Sequence, residues 1–150
     1  MRALLQRVSS ASVTIAGKTA SSINTGFLVL LGITNGDDLT DTEWLCGKIA
    51  RMRVFEDGDG KMNRSILDNG GDILVVSQFT LHASTKKGNR PSFLDAAAAA
   101  VSEPLYESFC ETLSAELGKP VARGIFGADM KVSLTNDGPV TIWLDSRDRE

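Results

Sequence analysis

Apolar residues follow two kinds of strand pattern along this chain. Ala11, Val13 and Ile15 alternate with polar residues, which is the period of a half-buried strand. Residues 27–33 and 73–76 are instead continuous apolar runs, and such runs are typical of strands covered on both faces. The sequence therefore predicts a sheet whose central strands are buried.

Helical spacing appears in two longer stretches of the sequence. Residues 40–43 (Thr-Asp-Thr-Glu) form a candidate capping box for the first helix, which continues through Leu45, Ile49 and Met52. The second stretch begins in the alanine-rich residues 96–100. It places Ser102 as a candidate N-terminal cap and ends before Gly118 and Pro120, after the spaced apolar residues Leu105, Phe109, Leu113 and Leu117.

The C-terminal part of the chain reads as a hairpin followed by a polar tail. Residues 130–134 and 140–144 both alternate in polarity, and the turn-forming residues 136–139 (Asn-Asp-Gly-Pro) lie between them. Residues 145–150 are predicted to be a frayed tail. Together these patterns predict one α+β domain spanning residues 1–150, with a mostly antiparallel or mixed sheet and two principal helices.

Composition narrows the possible functions only a little. The net charge of −3 at pH 7 gives no overall attraction to nucleic acid, so any such binding must depend on a local patch. One candidate patch is the loop 84–92, which contains three cations (Lys86, Lys87 and Arg90) and no acid.

Cys46 and Cys110 have no metal-binding or redox spacing, so we expect buried free thiols, no metal and no cofactor. No run reaches membrane-spanning length and no signal-peptide core is visible, so we expect a cytoplasmic protein that does not contact membranes.

Two motifs carry candidate chemistry. Residues 77–80 (Ser-Gln-Phe-Thr) follow a buried strand, where backbone N–H groups can face a ligand and an aromatic ring can stack on a base. Residues 136–141 contain a Gly-Pro pair, whose carbonyl oxygens are acceptors suited to an ammonium group. The simpler alternatives are a capped strand end and an ordinary turn. His82, the only histidine, is a further candidate as the base of a triad with Ser77 or Thr80, although no motif identifies its orienting acid.

These two motifs together resemble those of the D-aminoacyl-tRNA deacylase (D-Tyr-tRNA deacylase) family. The resemblance extends in order over nearly the whole chain. It includes residues 5–8, 11–13, 60–63, 88–93 and 126–130.

The resemblance implies a homodimer with active sites at the subunit interface. It implies that the Gly138-Pro139 bond is cis, that this pair reaches into the site of the other subunit, and that its carbonyls face the α-ammonium of the substrate. Arg7 is expected to brace that loop. Ser77, Gln78, Phe79 and Thr80 are expected to line the opposite wall near the ester, and Met130 is included among the substrate-binding residues.

The implied reaction is hydrolysis of D-aminoacyl-tRNA, and of glycine mischarged on tRNA-Ala, with rejection of L-aminoacyl-tRNA. Donor N–H groups near Phe79 and Thr80 are expected to stabilise the oxyanion, and Thr80, which has no adjacent base in the sequence, is expected to hold geometry. Two alternatives remain open at this point. One is an esterase that uses Thr80 as nucleophile, and the other is a noncatalytic tRNA-binding dimer.

Overall fold

A computed structural model of the chain describes residues 1–149. Its elements are, in order, β1 Arg2–Ile15, β2 Lys18–Ile23, β3 Gly26–Gly32, α1 Leu39–Arg51, β4 Phe55–Glu56, β5 Met62–Arg64, α2 Ile66–Asn69, β6 Asp72–Ser77, a 3₁₀ turn Phe79–His82, α3 Ala99–Leu117, β7 Ala122–Arg123 and β8 Lys131–Asp145. The main sheet has the order β2-β1-β3-β6-β7, and β8 also pairs with β1. The pairs β3–β6 and β6–β7 are parallel, whereas β1 pairs antiparallel with β2, β3 and β8. The predicted α+β class with a mixed sheet and two principal helices is confirmed.

Strand β3 lies at the centre of the core, as its continuous apolar run predicts. Phe27, Val29 and Leu31 belong to the apolar cluster that includes α1 and α3, while Leu28 belongs to a second cluster on the other face. Because neighbouring side chains point to opposite faces of a strand, both faces of β3 must be apolar.

Both predicted helix caps are wrong in position. The N-cap of α1 is Asp38, whose carboxylate accepts the amides of Thr40 and Asp41, and Asp41 accepts the Asp38 amide in return. The capping box therefore lies two residues before the predicted one, because Asp38 and Asp41 satisfy the same reciprocal pattern. Helix α3 begins at Ala99 without a side-chain cap, and the Ser102 hydroxyl donates to the Ala98 carbonyl from inside the helix.

The predicted C-terminal hairpin is also wrong. Residues 131–145 form one strand, β8, which pairs antiparallel with β1 from Arg2 to Thr14. The register shifts where Gln6 pairs with Thr141 and Val8 pairs with Asn136. Residues 137–140 therefore form a bulge opposite Arg7 instead of a reversing turn.

The predicted frayed tail is likewise wrong for residues 145–149, and Glu150 lies outside the described residues. Asp145 is the last residue of β8 and accepts a 2.8 Å hydrogen bond from Arg2. Ser146 is buried, and its hydroxyl accepts a 2.8 Å hydrogen bond from the Met1 nitrogen. The polar residues Asp145 and Ser146 are ordered because the part-buried Arg2 side chain and the buried Met1 nitrogen need acceptors.

The two cysteines are free and buried. Burial raises the pKa of the Cys46 thiol, and it raises that of Cys110 to about 11. Both thiols are therefore protonated and poor nucleophiles at neutral pH. Within residues 1–149, every helix is too short or too polar to cross a membrane.

Candidate functional site

A cavity of about 510 Å³ lies at the end of strand β6. Its lining is mainly apolar, with a few polar groups at the rim. Ser77, Gln78 and Phe79 form one wall, and Met130 lies in another. Other lining residues include Leu31, Ile33, Val76, Ala97, Phe126, Asp129 and Val132.

The wall at residues 77–80 presents backbone donors. The Gln78 amide still donates to the Leu31 carbonyl (2.7 Å), and the chain then enters the 3₁₀ turn. The first amides of such a turn have no partner within it. Among residues 1–149, the amides of Phe79 and Thr80 have no hydrogen-bond acceptor. Two adjacent free N–H groups beside a cavity form a suitable site for a developing oxyanion.

The hydroxyl of Thr80 is held by its neighbour Gln78. The Gln78 Nε2 atom donates to Thr80 Oγ1 at 2.5 Å, and both side chains are at least partly exposed. A hydroxyl needs a nearby base to become a good nucleophile. The group that contacts Thr80 is an amide donor, which cannot remove its proton.

His82 cannot act as that base. Its side chain is only 4% exposed, and Nε2 has no hydrogen-bond partner among the described residues. Burial lowers the pKa of His82, and the nearby charges of Arg2 and the Met1 ammonium lower it further. Among the described residues, His82 therefore does not act as the base of a triad, and its side chain is packed in the interior at the end of the 3₁₀ turn.

The position of Met130 in the cavity lining depends on a glycine, Gly124, that was not predicted from the sequence. A Cβ atom added at Gly124 would lie 2.6 Å from the Met130 sulfur, so only glycine leaves room for this Met130 position. The Gly124 amide donates to the Val75 carbonyl at 2.9 Å. Tyr106 donates from its hydroxyl to the same carbonyl at 2.9 Å, and its ring packs against Phe126.

Arg7, Gly138 and Pro139 form a second cluster, on β1 and the β8 bulge. The Arg7 side chain is almost fully buried, with Nε donating to the Asp137 carbonyl (3.0 Å) and Nη1 to the Val54 carbonyl (2.5 Å). Gly138 has φ +133°, a conformation that favours glycine, and its peptide bond to Pro139 is cis. Both residues are exposed.

Asn136 holds the base of this bulge. Its Oδ1 atom accepts the Val140 amide at 3.0 Å, and its Nδ2 atom donates to Thr141 Oγ1 at 3.0 Å. One side chain thus replaces the strand hydrogen bonds that the bulge interrupts. Asn136 lies in the motif used for the resemblance, but it was not predicted as a site residue.

The predicted site residues therefore fall into two groups. Ser77, Gln78, Phe79 and Met130 line the cavity, and Thr80 lies beside Gln78 at its edge. Arg7, Gly138 and Pro139 do not line it. Phe126 and Asp129 were missed as lining residues, although they belong to a motif that supported the resemblance. Among residues 1–149, no group of three His, Cys, Asp or Glu side chains is arranged to hold a metal ion.

The chain is similar in sequence to a known protein family and to named members of it. The family described as D-Tyr-tRNA(Tyr) deacylase matches residues 4–145. A D-aminoacyl-tRNA deacylase of Bacteroides thetaiotaomicron is 59% identical over 150 residues, the full length of both chains. Another of the same name, from Thermomicrobium roseum, is 60% identical over 146 residues, which are 97% of this chain and 94% of the relative.

Two solved structures share the fold. One, titled c-Myc DNA Unwinding Element Binding Protein, has a TM-score of 0.90 at 45% identity and covers 97% of this chain and 98% of its own. The other, a probable eukaryotic D-amino acid tRNA deacylase, has a TM-score of 0.83 at 19% identity and covers 95% of this chain and 97% of its own. The chain therefore belongs to the D-Tyr-tRNA(Tyr) deacylase family, a family of aminoacyl-tRNA ester hydrolases, as its motifs predicted.

Proposed function

We propose that this protein hydrolyses the ester bond of D-aminoacyl-tRNA in the cytoplasm and releases the free D-amino acid and tRNA. Family membership supports the substrate class. The observation that carries the reaction is the pair of amides at Phe79 and Thr80, which have no acceptor in the described part of the chain and lie beside a cavity of about 510 Å³.

The chemistry requires little more than positioning and charge stabilisation. An aminoacyl ester is already activated, and one oxyanion donor contributes about 3 kcal/mol in other hydrolases. Water attacks the ester carbonyl with help from the 2′-hydroxyl of the substrate, and the amides of Phe79 and Thr80 bind the oxyanion. Thr80, held by Gln78, keeps the geometry.

Rejection of L-aminoacyl groups is assigned to a second subunit. Within one chain, Gly138 and Pro139 are exposed and lie outside the cavity lining, so a site that uses both clusters needs two chains. In the proposed homodimer, the carbonyls of Gly138 and Pro139 from one subunit bind the α-ammonium held in the cavity of the other. Backbone then occupies the direction that an L-side chain would take, whereas D-residues and glycine fit. Glycine mischarged on tRNA-Ala is therefore also a substrate.

The direct test compares single-turnover deacylation of D-Tyr-tRNA, L-Tyr-tRNA and Gly-tRNA-Ala, with sedimentation to measure the oligomeric state. We expect hydrolysis of the first and third substrates by a dimer. Hydrolysis of L-Tyr-tRNA at a similar rate would contradict chiral selection. Salt-dependent tRNA binding without hydrolysis would instead support the noncatalytic alternative.

A mixing experiment tests the contribution of the second subunit. Gly138→Val disrupts the bulge, and Met130→Trp fills the cavity, so each variant alone should be inactive. Random exchange of subunits makes half of the dimers mixed, and each mixed dimer has one intact site. Recovery of about a quarter of the wild-type activity is therefore expected. Absence of recovery in a proven mixed dimer would contradict a shared site.

A further inference from the structure

We propose that the loop 84–92, called the basic loop here, together with the ring pair Phe79–Phe93, binds the unpaired nucleotides that precede the terminal adenosine of tRNA. This inference rests on the proposed function, because it assumes that the terminal adenosine lies at the cavity.

The cations of the basic loop are free to meet phosphates. Lys86, Lys87 and Arg90 are all exposed, and none of them forms an ion pair with any of residues 1–149. Seven of the other thirteen lysines and arginines are in ion pairs with carboxylates: Arg2, Arg7, Arg51, Lys119, Arg123, Lys131 and Arg147. What distinguishes the basic loop in a chain of net charge −3 is that three exposed cations lie within five residues, with no acidic residue in the loop.

The loop is anchored next to the cavity. Ser84 and Ser92 close it with two backbone hydrogen bonds, of 2.8 and 2.9 Å. The following residue, Phe93, contacts Phe79 edge to face, with ring centroids 5.2 Å apart. Phe79 also lines the cavity, so this ring contact joins the basic loop to the wall at residues 77–80.

Both rings are available for stacking. Phe79 is 57% exposed and Phe93 is 39% exposed. Exposed aromatic rings beside unpaired cations are the usual combination for binding single-stranded nucleic acid, because bases stack on the rings while phosphates meet the cations. A strand that leaves the cavity past Phe79 therefore reaches the basic loop directly.

The test uses a triple variant, Lys86→Ala/Lys87→Ala/Arg90→Ala, with two substrates. For D-Tyr-tRNA, the slope of log(kcat/KM) against log salt should become shallower by about 2, since each lost single-strand phosphate contact contributes about 0.7. Between 50 and 200 mM salt, kcat/KM of the triple variant should therefore fall about twentyfold less than kcat/KM of the wild type. For the D-tyrosyl ester of adenosine, which has no upstream phosphate, kcat/KM should be unchanged.

A charge-matched control is Lys18→Ala/Lys48→Ala/Lys61→Ala, which removes three exposed cations elsewhere. An equal change of slope in the control, or no change in the basic-loop variant, would overturn the inference. An equal loss of kcat/KM by the basic-loop variant on D-Tyr-tRNA and on the adenosine ester would also overturn it. If the wild-type protein hydrolyses neither substrate, the proposed function itself fails.

Discussion

Arg7 and Asp137 are 130 positions apart in the sequence, and the Nε atom of Arg7 lies 3.0 Å from the Asp137 carbonyl oxygen. The same guanidinium donates to the Val54 carbonyl. A planar fork can serve two carbonyls in fixed directions, which a lysine ammonium cannot do. Arg7 thereby fixes the β8 bulge against the strand that it opposes.

We expect Arg7→Lys to lower kcat/KM for D-Tyr-tRNA at least about tenfold, because a lost charge-assisted hydrogen bond is worth about 1.5–3 kcal/mol. Urea unfolding should show a loss of stability of similar size. Arg51→Lys is the control, since it changes an exposed ion pair with Glu116 and should alter stability by less than about 1 kcal/mol. Unchanged activity in Arg7→Lys would separate the bulge from catalysis.

Gly138→Ala should abolish most activity. The added Cβ would lie 2.8 Å from Val140 Cγ2 and 3.1 Å from Arg7 Nη2, so the bulge must move. A shift of about 1 Å in a positioning group can cost about a hundredfold in rate. Gly118→Ala is the matched control, because Gly118 also has positive φ (+71°) but the added Cβ would meet no atom of residues 1–149 within 4 Å. Single-turnover rates that fall equally in both variants would count against a local role of Gly138.

Thr80→Ala should keep kcat/KM within about tenfold of the wild type, because it loses one hydrogen bond worth about 0.5–1.5 kcal/mol. Gln78→Ala should have a similar effect. The double variant should be no worse than either single one if the two side chains act as a pair. Complete loss of activity in Thr80→Ala, or an acyl group trapped on Thr80, would favour the threonine-nucleophile esterase.

His82 should make stability depend on pH below its usual pKa of 6.5. Its pKa is lowered in the folded protein, so between the folded value and 6.5 the unfolded chain binds more protons. Its contribution is therefore complete above 6.5 and is lost as pH falls toward the folded pKa. The carboxyls with lowered pKa, such as Asp41 and Asp145, act only below their usual value of 3.8.

Urea unfolding of the wild type and His82→Gln between about pH 5 and pH 7.5 measures this effect. The difference in the free energy of unfolding between the two proteins should shift in favour of His82→Gln as the pH falls. A difference that is independent of pH would contradict a buried neutral His82.

Sequence patterns were informative where burial decides the structure. The continuous apolar runs of β3 and β6 required strands covered on both faces, and the structure places both in the core. Turn-forming residues were a less reliable guide to where the chain reverses direction. Residues 136–139 have the composition of a turn, but the 14-residue strand β1 offers one continuous partner to both flanking segments. Tertiary pairing therefore prevailed over turn propensity.

The candidate site was only partly visible in the sequence for a similar reason. The motif at residues 77–80 marks the cavity because it follows a strand end. Gly124 carries no such signal, since its importance comes from the Met130 sulfur beside it. The relationship between Arg7 and the bulge depends on a strand pairing that spacing along the chain does not reveal.

One oxygen atom beneath the cavity links three parts of the fold. The Val75 carbonyl accepts both the Tyr106 hydroxyl of α3 and the Gly124 amide that precedes Phe126 and Met130. Strand β6, helix α3 and the segment 124–130 are thus held together by one acceptor, and none of them can shift without breaking a hydrogen bond to it. The base of the chamber is therefore rigid, and any adjustment of its shape must take place at its open side.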